Sequence, residues 1–209
     1  MKEIADICKK YGIENYTINS DGTIDVDGNV YLYDSELSEL PLKFGKVSGY
    51  FDCAFNKLTT LEGCPQSVGG TFNCNCNKLT TLEGCPQILG DNFYCHSNEL
   101  ITLEGCPQIL GGDFSCSYNK LTTLEFCPQI LGGDFSCSYN KLTTLEFCPQ
   151  ILGGYFDCND NKLNTLVGIK VCPKNINCSG NPLTKYEINN PREAILQNIR
   201  EGKLKLLGL

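Results

Sequence analysis

Tryptophan is absent from this 209-residue chain, and histidine and methionine occur once each. With His96 as the only imidazole, general acid–base chemistry at neutral pH and histidine-ligated metal sites lose their usual residue. No stretch approaches the roughly 20 apolar residues of a membrane-spanning helix, so no membrane partner is expected. The segment Met1 to Lys10 lacks the apolar core of an export signal, which makes a reducing cytoplasm the expected setting. Basic residues are scarce where they would matter most. Between Gly49 and Gly168 five lysines stand against twelve acids, so this stretch carries all of the net charge of −7 and the flanks are neutral. A phosphate-backbone binder needs clustered Lys and Arg, so direct nucleic-acid binding is not expected, whereas a basic protein partner is compatible with the charge.

What is present is a repeat. Asn56, Asn77, Asn98, Asn119, Asn140 and Asn161 recur every 21 residues, most within an Asn-Lys-Leu-Thr-Thr-Leu block. A fixed period of this length signals a solenoid, in which length measures the number of coils and each coil contacts only its neighbours.

One coil, Gly111 to Leu131, shows the logic. Asp113 to Ser117 alternates polar and apolar, which predicts a short strand with Phe114 and Cys116 inward and Asp113, Ser115 and Ser117 outward. Asn119 sits where the chain turns away, and a stacked column of asparagines can satisfy backbone groups that are otherwise buried and unpaired. Leu121 and Leu124 fill the arc. Cys127 and either Ile130 or Leu131 line the return, where Pro128 argues against a second regular strand. The glycine pairs at 69–70, 111–112, 132–133 and 153–154 are read as tight turns into the next strand, and Asp91 in place of the second glycine predicts a corner that differs.

These residues fit the pattern L-x-x-L-x-L-x-x-N-x-L with only the first leucine lost. Leu-Thr-Thr-Leu-Glu-Gly-Cys-Pro-Gln at 58–66 and 79–87, with Phe-Ser-Cys-Ser-Tyr-Asn at 114–119, resembles the short-repeat form of the leucine-rich repeat family seen in bacterial effectors and in phage or giant-virus proteins. The cysteine-for-leucine replacements look most like the viral versions, and the ligase or transport domains of the effectors have no counterpart in this chain. The resemblance implies an α/β solenoid of about seven coils, mostly short parallel strands and irregular arcs, shaped as a horseshoe or curved rod with caps at both ends. It also implies a non-catalytic binding role, as in a virus-encoded blocker of a host factor. A monomer without cofactor or metal is expected.

The ends are read as caps. Ile4, Ile7, Cys8 and Tyr11 share a helical face, and Asn19-Ser-Asp-Gly22 between Tyr16–Ile18 and Thr23–Val26 is a hairpin signal. Val30, Leu32, Leu37 and Leu40 make a degenerate coil with Ser35 in the asparagine slot. At the far end Cys172 comes three residues late; Ile176, Cys178, Asn181 and Leu183 close a last coil; Asn190-Pro-Arg-Glu193 opens a helix with Ile195, Leu196 and Ile199 on its apolar side. Three segments follow: 1–27 as N-terminal cap, 28–183 as repeat array, 184–209 as C-terminal cap and tail. Both ends read as finished, and a complete protein is expected.

Several features invite chemistry. Twelve of the fifteen cysteines fall in two inward columns, seven after the Phe position and five before proline, with Cys172 a shifted sixth of the second column. Parallel strands lie about 4.8 Å apart, farther than the roughly 3.8 Å between disulfide-bonded Cβ atoms, so the thiols are expected reduced and buried as small hydrophobes. Cys76 is the outward exception. Asp25, Asp27, Gly28 and Asp34 partly match a calcium loop, but Ile24 and Val26 alternate as a strand, and a strand followed by an Asp-Gly turn is the preferred reading. The Thr pairs (59–60, 80–81, 122–123, 143–144) form an outward stripe of the kind found on ice-binding solenoids, interrupted here by Ile101 and Asn164.

The strand face is the candidate site. Its outward residues mix tyrosines with carboxylates, which suits protein partners. The expected contacts are Asp52, Tyr94, His96, Asp113, Ser115, Tyr118, Asp134, Ser136, Tyr139, Tyr155, Asp157 and Asp160. No serine is set apart from the ladder and no strained elbow motif is present, so no catalytic residue is assigned. Two alternatives follow from the same residues: an acidic mimic that occupies a nucleic-acid-binding protein, and an ice-binding solenoid.

Overall fold

The computed structural model describes residues 2–206, and over them the chain is a parallel β-solenoid of about seven turns with few helices. Helix Lys2–Lys10 leads into the antiparallel hairpin Tyr16–Ile18 and Ile24–Val26. Helices Lys185–Asn189 and Pro191–Leu206 follow the last coil; in the first of them Thr184 and Glu187 close a capping box. No helix among the described residues is long and apolar enough to cross a membrane.

Each coil contributes one strand of an eight-stranded parallel sheet: Val30–Tyr31, Phe51–Asp52, Phe72–Asn73, Phe93–Tyr94, Phe114–Ser115, Phe135–Ser136, Phe156–Asp157 and Ile176–Asn177. Like pairs with like: Phe114 lies against Phe93 on one side and Phe135 on the other. The six phenylalanine rings from Phe51 to Phe156 are fully buried, with consecutive centroids 5.2–5.9 Å apart. Beside them run the buried Cys53, Cys74, Cys95, Cys116, Cys137, Cys158 and Cys178, and all fifteen cysteines are free thiols.

The proline did not prevent a second ladder. Short strands at Phe44–Val47, Ser67–Val68 and Ile88–Leu89 join the hairpin strand Ile24–Val26, and Ile109–Leu110, Ile130–Leu131 and Ile151–Leu152 form a sheet of their own. The expectation failed because Pro128 lies one residue before the first ladder donor: Gln129 N–H reaches Gln108 O at 2.9 Å and Gly132 N–H reaches Leu110 O at 3.0 Å. The ladder is interrupted between Ile88–Leu89 and Ile109–Leu110. This is the coil of Asp91, whose Oδ2 accepts from Thr71 Oγ1 at 3.3 Å, so the corner expected to differ does differ.

The corner glycines serve close approach rather than a positive φ. A Cβ on Gly132 or Gly153 would overlap the backbone carbonyl of Gly111 or Gly132 one coil below, and a Cβ on Gly133 would overlap Oδ1 of Asp113.

The asparagine column ties coil to coil. Asn119 Nδ2 donates to Cys95 O of the preceding coil and to Cys116 O and Ser117 O of its own, while Oδ1 accepts from Leu100 N–H at 2.9 Å. Asn56, Asn77, Asn98, Asn140, Asn161 and Asn181 make equivalent sets, all buried. Replacing Asn119 with Ala strands a buried N–H and a buried carbonyl, and urea unfolding of Asn119→Ala should show a loss of about 3 kcal/mol.

Burial pushes the Cys85 thiol up to about 12 and Cys148 up to about 11 from an ordinary 9.0. Unfolded thiols ionise near their ordinary value while folded ones stay protonated. The stability that this difference carries is therefore complete below about pH 9 and lost as pH rises from there toward 12. Native labelling with a thiol reagent should be fast only at the partly exposed Cys76 and Cys172, slow at Cys64, whose thiol burial pushes up, and complete only in denaturant.

Candidate functional site

The chain leaves each strand through a left-handed corner. Asp34, Phe55, Cys76, Ser97, Tyr118, Tyr139 and Asp160 all take φ between 49° and 56°. Such a conformation costs a non-glycine residue about 1 kcal/mol, and glycine or asparagine is the usual occupant. Tyr118 and Tyr139 occupy it nonetheless and stack with ring centroids 4.3 Å apart and planes 8° from parallel. Both rings are about half exposed, at 54% and 44%. The Asp160 carboxylate one coil on, followed by the Tyr118 hydroxyl, raises the Tyr139 phenol above its ordinary value.

Nine of the twelve expected residues converge on the fifth to seventh of the eight coils that form this face. Asp113, Asp134 and Tyr155 form one column, Ser115, Ser136 and Asp157 the next, and Tyr118, Tyr139 and Asp160 the corner. The carboxylates are not all free for a ligand. Asp113 Oδ1 accepts from Asp134 N–H at 2.7 Å, and Asp134 Oδ1 from Tyr155 N–H at 2.6 Å, so each spends one oxygen on holding the next coil. Asp157 is raised above the ordinary carboxylate range by burial, and its Oδ1 accepts from Asn159 N–H at 3.3 Å.

The remaining three lie nearer the N-terminus. Asp52 lines a shallow groove of about 270 Å³ with Tyr31, Tyr50, Asp91, Asn92 and Tyr94. Burial, and then the carboxylates of Asp113 and Asp91, raise the Tyr94 phenol. His96 is half-buried, with Nε2 at 2.8 Å from Asn75 Nδ2 and Nδ1 at 3.1 Å from Ser97 Oγ. Burial holds the imidazole below its usual pKa, which favours the neutral ring at pH 7.

Two expectations about outward residues are corrected. Ser117 and Ser138 are buried, because the strand stops after two residues and the left-handed turn draws them into the corner, where Ser117 Oγ lies 2.6 Å from Ser136 Oγ and 3.0 Å from Ser138 Oγ. Three of the eight threonines of the stripe, Thr81, Thr123 and Thr144, are half-buried, as is Thr102, and their hydroxyls accept from the N–H two residues on. Asp25 and Asp27 likewise use oxygens locally, Asp25 on Lys46 N–H and Asp27 on Ser48 Oγ.

Sequence reasoning missed Phe126 and Phe147, each 47% exposed with φ 66°. Gly63, Gly84, Gly105 and Gly168 hold the same place in other coils with φ 85–108°. The signal was present: an aromatic replaces a glycine in the same two coils that carry Tyr118 and Tyr139. Tyr31 and Tyr33, exposed on the degenerate coil, were also readable from the register of Val30 and Leu32.

The eight corner-to-asparagine segments from 28–35 to 154–161 and 174–181 differ at one point: the first seven hold seven aspartates and no Lys or Arg, whereas Lys174 opens the last. Between Gly49 and Gly168 lysines appear only directly after the asparagines, where Lys120 pairs with Glu99 at 2.8 Å. Two acceptors on this side, Asn75 Oδ1 and Asn159 Oδ1, are buried with no hydrogen-bond partner. Comparison with protein-family models, curated proteins and solved structures finds no match to the chain. The geometry alone therefore carries the functional reading.

If the tyrosines are held at a conformational cost for binding, Tyr118→Asn/Tyr139→Asn should leave stability within about 1 kcal/mol of wild type, because relief of the left-handed strain offsets the lost stack. A drop of more than about 2 kcal/mol in urea unfolding would make them structural.

Proposed function

We propose that this chain is a short-repeat leucine-rich repeat solenoid, with the helices at its ends as caps, and that it acts without catalysis by binding a partner protein through the strand face. The observation that carries the reading is the Tyr118–Tyr139 stack: two half-exposed rings kept at backbone positions that disfavour them. The fold imposes the left-handed corner on every coil, so what function has to explain is the choice of an aromatic there over the usual glycine or asparagine. Rigid aromatic faces lose little conformational entropy on contact and are common anchors of binding energy.

The charge pattern narrows the partner to one that is basic or rich in donors. The face offers aspartates at positions 34 to 160 and a neutral His96. A nucleic-acid mimic is the second reading, and the commitment of Asp113 and Asp134 to neighbouring N–H groups counts against it, since phosphate imitation needs both oxygens presented to solvent.

Pull-down from lysate with immobilised wild-type protein and two variants separates the readings. Protein recognition expects a specific captured protein whose recovery falls at least about tenfold with Tyr118→Ala/Tyr139→Ala, equivalent to the loss of one modest hot spot. Asp113→Asn/Asp134→Asn should cost less. The reverse order would favour the mimic, and equal capture by all three would remove the strand face from the interaction.

A further inference from the structure

On the return side of the coil, alternation sends Leu89, Leu110, Leu131 and Leu152 inward and leaves Ile88, Ile109, Ile130 and Ile151 outward, exposed by 69%, 65%, 38% and 57%. Ile109, Ile130 and Ile151 stack in register, one strand spacing apart. Two residues on, Gly90, Gly111, Gly132 and Gly153 are exposed. An aliphatic ridge thus runs along the solenoid beside a trough that has no side chains.

We propose that this side is a self-association surface, on which two copies of the chain pack second ladder against second ladder about a two-fold axis. The ridge of each copy lies in the glycine trough of the other. Three observations favour a second copy over another occupant. Ridge and trough sit on one strand set, so a two-fold operation makes the surface complementary to itself. The segments 87–90, 108–112, 129–133 and 150–154 contain no charged residue, in a protein whose net charge is −7; like-charged copies can meet here without opposing carboxylates. An exposed aliphatic column of a few hundred Å² is at the upper limit of what a monomer presents, and it supplies the apolar centre that a contact of about 800 Å² per partner needs. The neutral Gln87, Gln108, Gln129 and Gln150 border it and provide a polar rim. The sequence left Ile130 and Leu131 as alternatives for the core, and the second ladder puts the isoleucine outside.

Sedimentation equilibrium across the micromolar range tests this. Wild-type mass should move from one chain of 23.1 kDa to a plateau at two. Ile109→Lys/Ile130→Lys should remain a single chain, with association weakened at least about 100-fold, because each substitution appears twice across a two-fold interface. Should that variant fold poorly by circular dichroism, Ile109→Thr/Ile130→Thr keeps strand propensity and should weaken association at least about tenfold. Tyr118→Ala/Tyr139→Ala should dimerise as wild type does, which keeps this test separate from partner binding. A wild type that stays at one chain, or that grows without a plateau, overturns the proposal. So does a threonine variant that associates equally well, or loss of the dimer on removal of the tyrosines.

Discussion

The solenoid depends on one repeated interaction, the asparagine amide that bridges two coils. Where the chain leaves the strand, backbone groups of adjacent turns are buried too deep for water and face the wrong way for each other. The asparagine amide has both donors and an acceptor on one short side chain, so Asn119 serves Cys95, Cys116 and Ser117 carbonyls and the Leu100 N–H at once. Aspartate lacks the donors, and glutamine carries an extra methylene that shifts the amide out of place. The bridge tolerates a change in the length between asparagines: Asn181 stands 20 residues after Asn161 and still makes the full set. Only at the first coil does Ser35 replace it, and there Asn56 Oδ1 reaches down to Ser35 N–H and Leu37 N–H.

Register then forces every column to be consistent with itself, and this couples positions that look independent. An outward Asp or Asn before the Phe strand accepts from the N–H one coil on, and the oxygen occupies the space where a Cβ would stand. Asn29 goes with Gly49, Asn92 with Gly112, Asp113 with Gly133 and Asp134 with Gly154. Thr71 makes no such bond, so its upper neighbour is free to be Asp91. Part of the acidity of the strand face is therefore structural, Asp160 included, whose Oδ1 fills the Cβ space of Gly180, and the residues unconstrained by this coupling, Tyr118 and Tyr139, carry more information about a ligand.

Much of the fold was legible in the sequence because it rests on periodicity: the inward Phe and Cys columns, the asparagine ladder, the N-terminal hairpin and the helix from Pro191. What was not legible came from distances between coils. The second ladder depends on Pro128 falling one residue before the first donor, and the glycines on carbonyls one coil below. Ser117 and Thr123 were assigned outward by local alternation, yet the two-residue strands are too short for alternation to govern their flanks. The choice between Ile130 and Leu131 for the core needed the same information. Of the candidate site, the columns were readable. The left-handed backbone under Tyr118 and Tyr139, which distinguishes them from ordinary exposed aromatics, was not.

The two near-identical coils at 111–131 and 132–152 bear on how such a site arises. In a register-locked stack, copying one coil places every outward side chain above its twin at one strand spacing. For a charged residue this is a penalty: two aspartates in adjacent coils repel, and Asp113 and Asp134 coexist because each is neutralised in part by a neighbouring N–H. For an aromatic residue the same copying produces a parallel stack, and a single exposed tyrosine becomes a rigid surface of two rings with no further change in sequence. For isoleucine it extends a ridge. Duplication in a solenoid thus selects which outward residues survive, favouring those whose self-contact is attractive. The aromatic corner and the aliphatic return side are the two places where this chain meets that condition, and they lie on different ladders, so the two surfaces do not overlap.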